Sequence, residues 1–431
     1  MSIRTRRLLF YISSFLFLII SSLLVAYSLG FKLDFTNLSF RETGGIYLRS
    51  EPTDASISLD GKEIKNQSGF LQSGTLISNL KEDSYHLNLE RDGYFNWEKN
   101  VSVKKSLVEV FDSIVLVSQK EPDKLSEPVD KFYINDGSLI TEAAGGIKTG
   151  GNKLLGDSVI DTADDGTVIT YNSVSKIYYL YNIFIPSTAL NISTLFNNLK
   201  ESRLGLIGAV PIVKVAIHPF NHDRLIIQSR GALYTLDTAR LTIEQIAEAP
   251  VDFKTKGQEV VFYGKDSLYK YSLIFRTVSK INALEIDEIK NWELGSDGKV
   301  VILFKNGELS VFSDNEVFNI ADKAALFALA SDNKTIAFLD YDGPLYVYKL
   351  DKEKYLKLES GINETISDLS WYKDNEHLFI KADRSLYFTE VDERLPLNTT
   401  RLGTDISEYD YKPNEDSLYF LTPKGICKSE I

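Results

Sequence analysis

A chain of 431 residues with 43% hydrophobic and 25% charged side chains is too long for one small module and too apolar to stay disordered. Sixty acidic against 48 basic residues leave a formal charge of -12, which excludes a nucleic-acid partner gripped through a basic surface. The single cysteine, Cys427, excludes an intrachain disulfide framework, so stability must come from apolar cores.

Arg4, Arg6 and Arg7 open the chain, and Leu8 to Phe31 then carries no charge. This stretch exceeds both the roughly 20 residues that cross a bilayer as a helix and the roughly 7 to 15 of a secretory signal core. Ala26 and Ser28 offer a small-x-small cleavage pattern, so a removed signal is the alternative. The length favours a retained single-pass anchor over residues 8–31. The arginines place residues 1–7 in the cytoplasm and everything after Lys32 outside.

Residues 35–44 read as a polar connector. From Gly45 to Val117 the pattern alternates as in strands, at Ile46-Tyr47-Leu48, Ala55-Ser56-Ile57-Ser58-Leu59, Tyr85-His86-Leu87-Asn88-Leu89 and Val101-Ser102-Val103. Turns fall at Asp60-Gly61 and Asp92-Gly93, which predicts a small antiparallel sandwich. The run Ser50-Glu51-Pro52-Thr53-Asp54-Ala55, the strand ending at Asp60-Gly61, Tyr85-His86-Leu87 and Asp92-Gly93-Tyr94 together resemble the PEGA domain. Thr53-Asp54 stands where that family has Glu-Gly, and Glu82-Asp83-Ser84 replaces its Pro-Gly turn. The resemblance implies an envelope-associated module acting in surface-layer or cell-wall interaction.

Residues 118–130 are charged, contain Pro122 and Pro128 and have no apolar period, so they read as a linker. Residues 131–431 repeat one unit: a turn, an apolar run, then Gly or Ser followed by Leu or Ile. The marker falls at Ile177, Leu233, Leu268, Leu309, Leu345, Leu386 and Ile426, and from Leu233 onward the spacings are 35, 41, 36, 41 and 40 residues. These are the periods of four-stranded propeller blades, and seven copies predict a seven-bladed β-propeller. Apolar runs such as Leu225-Ile226-Ile227 and Val300-Val301-Ile302-Leu303-Phe304 fit strands buried on both faces. Ser331-Asp332-Asn333-Lys334-Thr335-Ile336-Ala337-Phe338 and Ser296-Asp297-Gly298-Lys299 resemble repeats of TolB-like and WD-related propellers, without a Trp-Asp ending or a Gly-His opening. The seventh copy ends without an outer strand, and residues 131–141 are expected to complete it, closing the ring from both ends. Between the first two markers an excess near residues 187–204 repeats apolar residues at helical spacing. It predicts a short helix that covers sheet, with a docking lid as the alternative.

The expected chemistry is sparse. His218 and His222 stand four apart, but Pro219 forbids the helix that would make this a metal pair, so both read as solvated turn residues; no metal site is expected. Cys427 lies in a predicted strand and reads as core. Gly145 to Lys153 lacks the Gly-Lys-Ser/Thr ending of a phosphate loop, and Asp161 to Gly166 lacks the alternating acids of a calcium loop and reads as a hairpin turn. No catalytic or cofactor-binding residue is expected, nor any cofactor. Tyr341 and Tyr372, in rim loops, are the candidates for an interaction surface toward glycan or peptide.

The sequence thus predicts a mainly β protein: an N-terminal transmembrane helix, a PEGA-like β-sandwich over 45–117 and a propeller. Its predicted role is non-enzymatic binding or scaffolding at the cell envelope, toward a cell-wall or surface-layer polymer or an envelope protein. The alternative is an extracytoplasmic propeller hydrolase or lyase. Perturbed carboxylates converging in the propeller funnel would favour that enzyme.

Overall fold

The computed structural model describes residues 3–28, 31–34, 39–69, 73–185, 188–283, 288–313 and 316–431. It divides into two compact units, one of residues 1–121 with 392–400 and 431, the other of residues 122–391 with 401–430.

The first unit begins with helix α1 (Ile3–Ser28). At 1.5 Å per residue it is about 39 Å long, against roughly 30 Å of bilayer hydrocarbon. Phe10, Phe15 and Phe17 are about two-thirds exposed, so the helix offers apolar surface on several faces to its surroundings. Length and composition suit a membrane span, a property that an anchor and a signal segment share. The expected polar connector is partly strand, since Phe31–Asp34 pairs antiparallel with Ser39–Glu42; residues 35–38 between them lie outside the described residues.

Two sheets follow. In the first, Gly44–Glu51 pairs antiparallel with Thr75–Leu80 and parallel with Val108–Val115. In the second, Lys62–Ile64, Ser56–Leu59, Asp83–Glu90 and Trp97–Val103 lie side by side, all antiparallel. Alternation along the strands sends Ile46 and Leu48 from one sheet, and Ile57, Leu87, Leu89 and Val101 from the other, into a single core. Trp97 meets Phe111 edge to face across it, with ring centres 5.4 Å apart.

A cation sits on the inward phase of that alternation. The Lys99 side chain is fully buried, and its Nζ donates to the carbonyls of Arg394 at 2.6 Å and Pro396 at 2.8 Å. Asp392 lies 3.8 Å from the same nitrogen and pairs with Arg394 at 2.9 Å, while the Arg394 guanidinium lies over the Phe111 ring. Segment Asp392–Thr400 therefore belongs to this unit although it lies some 280 residues further along the chain. The boundaries expected from sequence, 45–117, omit it.

The second unit is a β-propeller of eight four-stranded antiparallel sheets. Blades 1 to 7 cover residues 131–153, 158–191, 212–248, 252–283, 289–321, 324–358 and 366–403, each with its strands in chain order. Blade 8 takes Glu408–Lys412, Ser417–Thr422 and Gly425–Glu430, and receives its outermost strand, Asp123–Lys124, from the other end of the chain. Asp123 faces Lys428, Lys124 faces Cys427, and the Leu125 amide donates to the Ile426 carbonyl at 2.8 Å. Phe132 and Ile134 of blade 1 share a core with Tyr419, Leu421 and Ile426 of blade 8, which closes the ring.

Two expectations are corrected here. The blade count is eight, not seven: the seven repeat copies are the third strands of blades 2 to 8, while residues 131–153, with 131–141 expected to complete the last blade, form a complete blade. The ring does close with a strand from the N-terminal side, but that strand is Asp123–Lys124, inside the expected linker 118–130, and residues 131–141 pair within blade 1. A two-residue strand needs no apolar run, because only backbone hydrogen bonds fix it.

The insertion after blade 2 forms helix α2 (Ile192–Leu204). The Asn191 side chain accepts from the Thr194 amide at its start, and Gly205, at φ 68°, ends it in the left-handed conformation. Ile192, Phe196 and Leu199 are buried against Tyr178 of blade 2 and Tyr234 of blade 3. The helix covers the flank of these two sheets, which accords with the covering role rather than the lid.

Candidate functional site

The second strands of blades 2 to 8 are buried on both faces and leave little room for chemistry. Val260, Val261, Val300, Val301 and Leu378 are wholly inaccessible. The first strands differ, since polar and charged residues interleave with apolar ones, as in Ile212-Val213-Lys214-Val215 and Trp292-Glu293-Leu294. First strands of neighbouring blades pack on each other and line the propeller axis, so these charged side chains gather at the centre.

Polar side chains bond across the blade junctions, most often to the backbone of the neighbouring blade. From the second strand of blade 1 the Glu142 carboxylate accepts from the Val159 amide, and from the first strand of blade 2 Asp161 accepts from the Ile217 amide at 2.7 Å. Lys214 (blade 3) donates to the Phe253 carbonyl and to Asp252, both at 2.7 Å, and Lys254 (blade 4) donates to the Trp292 carbonyl. Glu293 (blade 5) accepts from the Leu329 amide at 2.9 Å while Lys290 donates to the Ala325 carbonyl at 2.8 Å. The Trp371 indole (blade 7) donates to the Ala328 carbonyl (blade 6) at 2.9 Å, and Ser370 meets the Tyr409 hydroxyl (blade 8) at 3.0 Å. Glu408 completes the circle by accepting from the Phe132 amide. All eight blade junctions carry such a bolt.

Burial is the main cause of the perturbed titrations. It pushes the Asp161, Glu293, Asp368 and Glu408 carboxyls above the usual carboxylate range and draws the Lys254 ammonium below its own. For Asp161 the amides of Ile217 and Thr162 and the charges of Lys214 and His222 oppose the rise without cancelling it. Folding then takes up a proton at this carboxyl between its unfolded and folded pKa values. The stability it contributes is fully present below the unfolded value and is lost as pH rises through the folded one. Wild type is expected to gain stability relative to Asp161→Asn as pH falls from neutral toward the ordinary carboxylate value of about 3.9. Urea midpoints of both proteins across that interval test this, and a difference that stays flat or moves the other way refutes it.

The structure separates the expected interaction residues. Tyr341 is 54% exposed and takes a hydrogen bond from Lys290 Nζ at 3.2 Å. Tyr372 is 1% exposed; its ring packs against Phe388 and Tyr411 and its hydroxyl donates to Asp416 at 3.1 Å. It therefore offers no surface, contrary to the expectation, because it lies at the end of an inner strand and turns into the junction of blades 7 and 8. His218 is buried rather than solvated, and His222 pairs with Asp165 at 2.8 Å. Cys427 is a partly buried member of strand Gly425–Glu430. Asp161 to Gly166 is a hairpin turn, closed by the Ala163 amide on the Thr167 carbonyl at 2.9 Å. Among the described residues no group of three His, Cys, Asp or Glu could hold a metal ion. The bolting carboxylates and lysines escaped sequence reasoning, although a charged residue on an otherwise apolar first strand is their common signal.

Comparison with known proteins places one family model within the first unit. Residues 43–112 match the family model of the PEGA domain. No curated protein matches the chain. Among solved structures it is similar to BamB from Moraxella catarrhalis, at 9% identity over 72% of this chain and 99% of that one, with a TM-score of 0.43. Saccharomyces cerevisiae Sqt1 is 14% identical over 72% of this chain and 100% of that one, with a TM-score of 0.44. Kluyveromyces lactis Hsv2 is 14% identical over 62% and 90%, with a TM-score of 0.40. The propeller assignment itself rests on the eight sheets and their closure.

Proposed function

We propose that this chain is a non-enzymatic binding or scaffolding protein of the cell envelope. In this reading α1 holds it in the cytoplasmic membrane with the N-terminus inside, and the PEGA domain and propeller work outside. One observation carries the non-enzymatic part: charged side chains of the inner strands, among them Asp161, Lys214, Lys254 and Glu293, are bonded across blade junctions. A carboxylate that accepts a strand amide is committed to holding that strand, whereas a general acid or base must be free to meet a substrate proton. The perturbed carboxylates are the specific observation behind the second reading, a propeller hydrolase or lyase. Their perturbation has a sufficient cause in burial at the junctions, which is why the binding role is preferred.

The PEGA match supports a cell-wall or surface-layer polymer, or an envelope protein, as the partner, and exposed Tyr341 belongs to the contact surface in this reading. The full chain in detergent micelles is expected to be retained by isolated wall polymer or to capture one envelope protein, with weaker retention for Tyr341→Ser. Turnover of wall fragments by the wild-type chain, lost in Glu293→Gln, would replace this reading with the enzymatic one. For orientation, a cysteine placed at Val174, which is 90% exposed, in a Cys427→Ser background should react with an impermeant maleimide on whole cells. Labelling only after lysis would reverse the topology.

A further inference from the structure

The propeller holds a cleft that the inner bolts do not use. It is a cavity of about 330 Å³ between blades 3 and 4, walled by strands Arg224–Ser229, Ala232–Asp237 and Ser267–Ser272 with their turns. That volume is at the lower end of small-ligand sites, which run from about 300 Å³ upward. Arg224, Arg240 and Arg276 all line it, in a protein whose net charge is -12.

The polar groups of this cleft are only partly committed. Asp237 accepts from Arg224 Nε at 3.1 Å and from the Arg240 amide at 2.8 Å and feels the Arg240 charge, while the terminal nitrogens of Arg224 and the Arg240 guanidinium make no hydrogen bond among the described residues. Glu244 approaches Arg276 only to 3.7 Å, both side chains being about half exposed. Besides Asp237, two buried polar side chains line the cleft. Tyr271 is 4% exposed, and its hydroxyl has no partner among the described residues. His218 is 6% exposed and takes the Phe220 amide on Nδ1 at 3.1 Å. A ring nitrogen that accepts carries no proton, so in the neutral ring Nε2 bears it and is a donor without a partner among the described residues. Burial and the neighbouring Arg224 keep this imidazole neutral by lowering its pKa.

We propose that this cleft binds a phosphate monoester. Its donors come from two blades and five side chains, more than the two coplanar oxygens of a carboxylate can engage, whereas a phosphate presents three terminal oxygens in a tetrahedral array. Arginine forks supply the charge and bidentate geometry, and the Tyr271 hydroxyl and His218 Nε2–H supply neutral donors from the buried wall. The site goes beyond the envelope-binding role and does not depend on it, because it is built within two adjacent blades.

Calorimetric titration of the full chain in micelles at low salt, with glycerol 3-phosphate and with inorganic phosphate as probes, tests the assignment. Saturable binding is expected, weakened about tenfold by Arg240→Gln and about threefold or more by Tyr271→Phe, since a charge-assisted bond outweighs a neutral one. Arg240 is exposed and Tyr271→Phe keeps its ring, so both variants should melt as wild type does, and that melt is measured alongside. Absence of phosphate binding, binding that neither variant weakens, or tighter binding of succinate than of glycerol 3-phosphate each overturns the proposal.

Discussion

Gly425→Ala is expected to unfasten the ring of blades. Gly425 has φ +123°, a conformation that side chains with a Cβ rarely adopt, and a Cβ there would stand 1.9 Å from the Ser126 carbonyl oxygen. That oxygen belongs to the backbone just after the closing strand Asp123–Lys124, so relief of the clash must move the closing segment. Backbone strain and overpacking together put the loss at about 3 kcal/mol. Hydrogen exchange reads the effect locally: the Leu125 amide, bonded to the Ile426 carbonyl, should lose protection before the inner strands do. Gly343→Ala is the control, because Gly343 has φ +102° with open space around it and should cost only about 1 kcal/mol of conformational strain. Equal effects of the two substitutions, or unchanged protection at Leu125, would show that this contact does not hold the closure.

The second large effect is expected at Lys99. Removing its ammonium by Lys99→Ala leaves the carbonyls of Arg394 and Pro396 buried without their donor and opens a cavity among Trp97, Val101 and Phe111. Loss of one partner from a buried charged cluster costs about 3 to 5 kcal/mol, and Lys99→Met, which keeps the stem, should recover the packing share of that cost. The Asn100 amide, which donates to the Leu395 carbonyl at 3.0 Å, reports on segment Asp392–Thr400 directly. Its exchange should accelerate in Lys99→Ala. Should that amide stay protected and the unit keep its stability, Lys99 would be a bystander in the core.

The period of the repeat was written in residues that any local reading finds: Leu225-Ile226-Ile227 or Leu378-Phe379-Ile380 must be central strands because they are apolar on both faces, and Asp332-Asn333 or Asp297-Gly298 must turn. Blade 1 was harder to see, because its second strand has only Leu139 and Ile140 as an apolar run and its third, at Gly146-Ile147, lacks the usual tyrosine. Tyr341 and Tyr372 carry the same local signal, yet one is exposed and the other buried, since only the neighbouring blade determines what fills the space beside each loop.

By itself, then, the sequence determined what depends on near neighbours: the apolar stretch of α1, the PEGA landmarks, the blade period and the presence of helix α2. The tertiary structure alone decided what depends on distant ones. The closing strand at Asp123–Lys124 is held by backbone hydrogen bonds, which leave no trace in side-chain pattern. The same holds for the acceptors of Lys99 near residue 394 and for the next-blade backbone groups that engage Asp161, Lys254 and Glu293. So too for the convergence of Arg224, Arg240 and Arg276, which different strands and turns bring to one cleft only after two blades have packed. A charged residue announces in sequence that it must be solvated or paired; the fold decides with what.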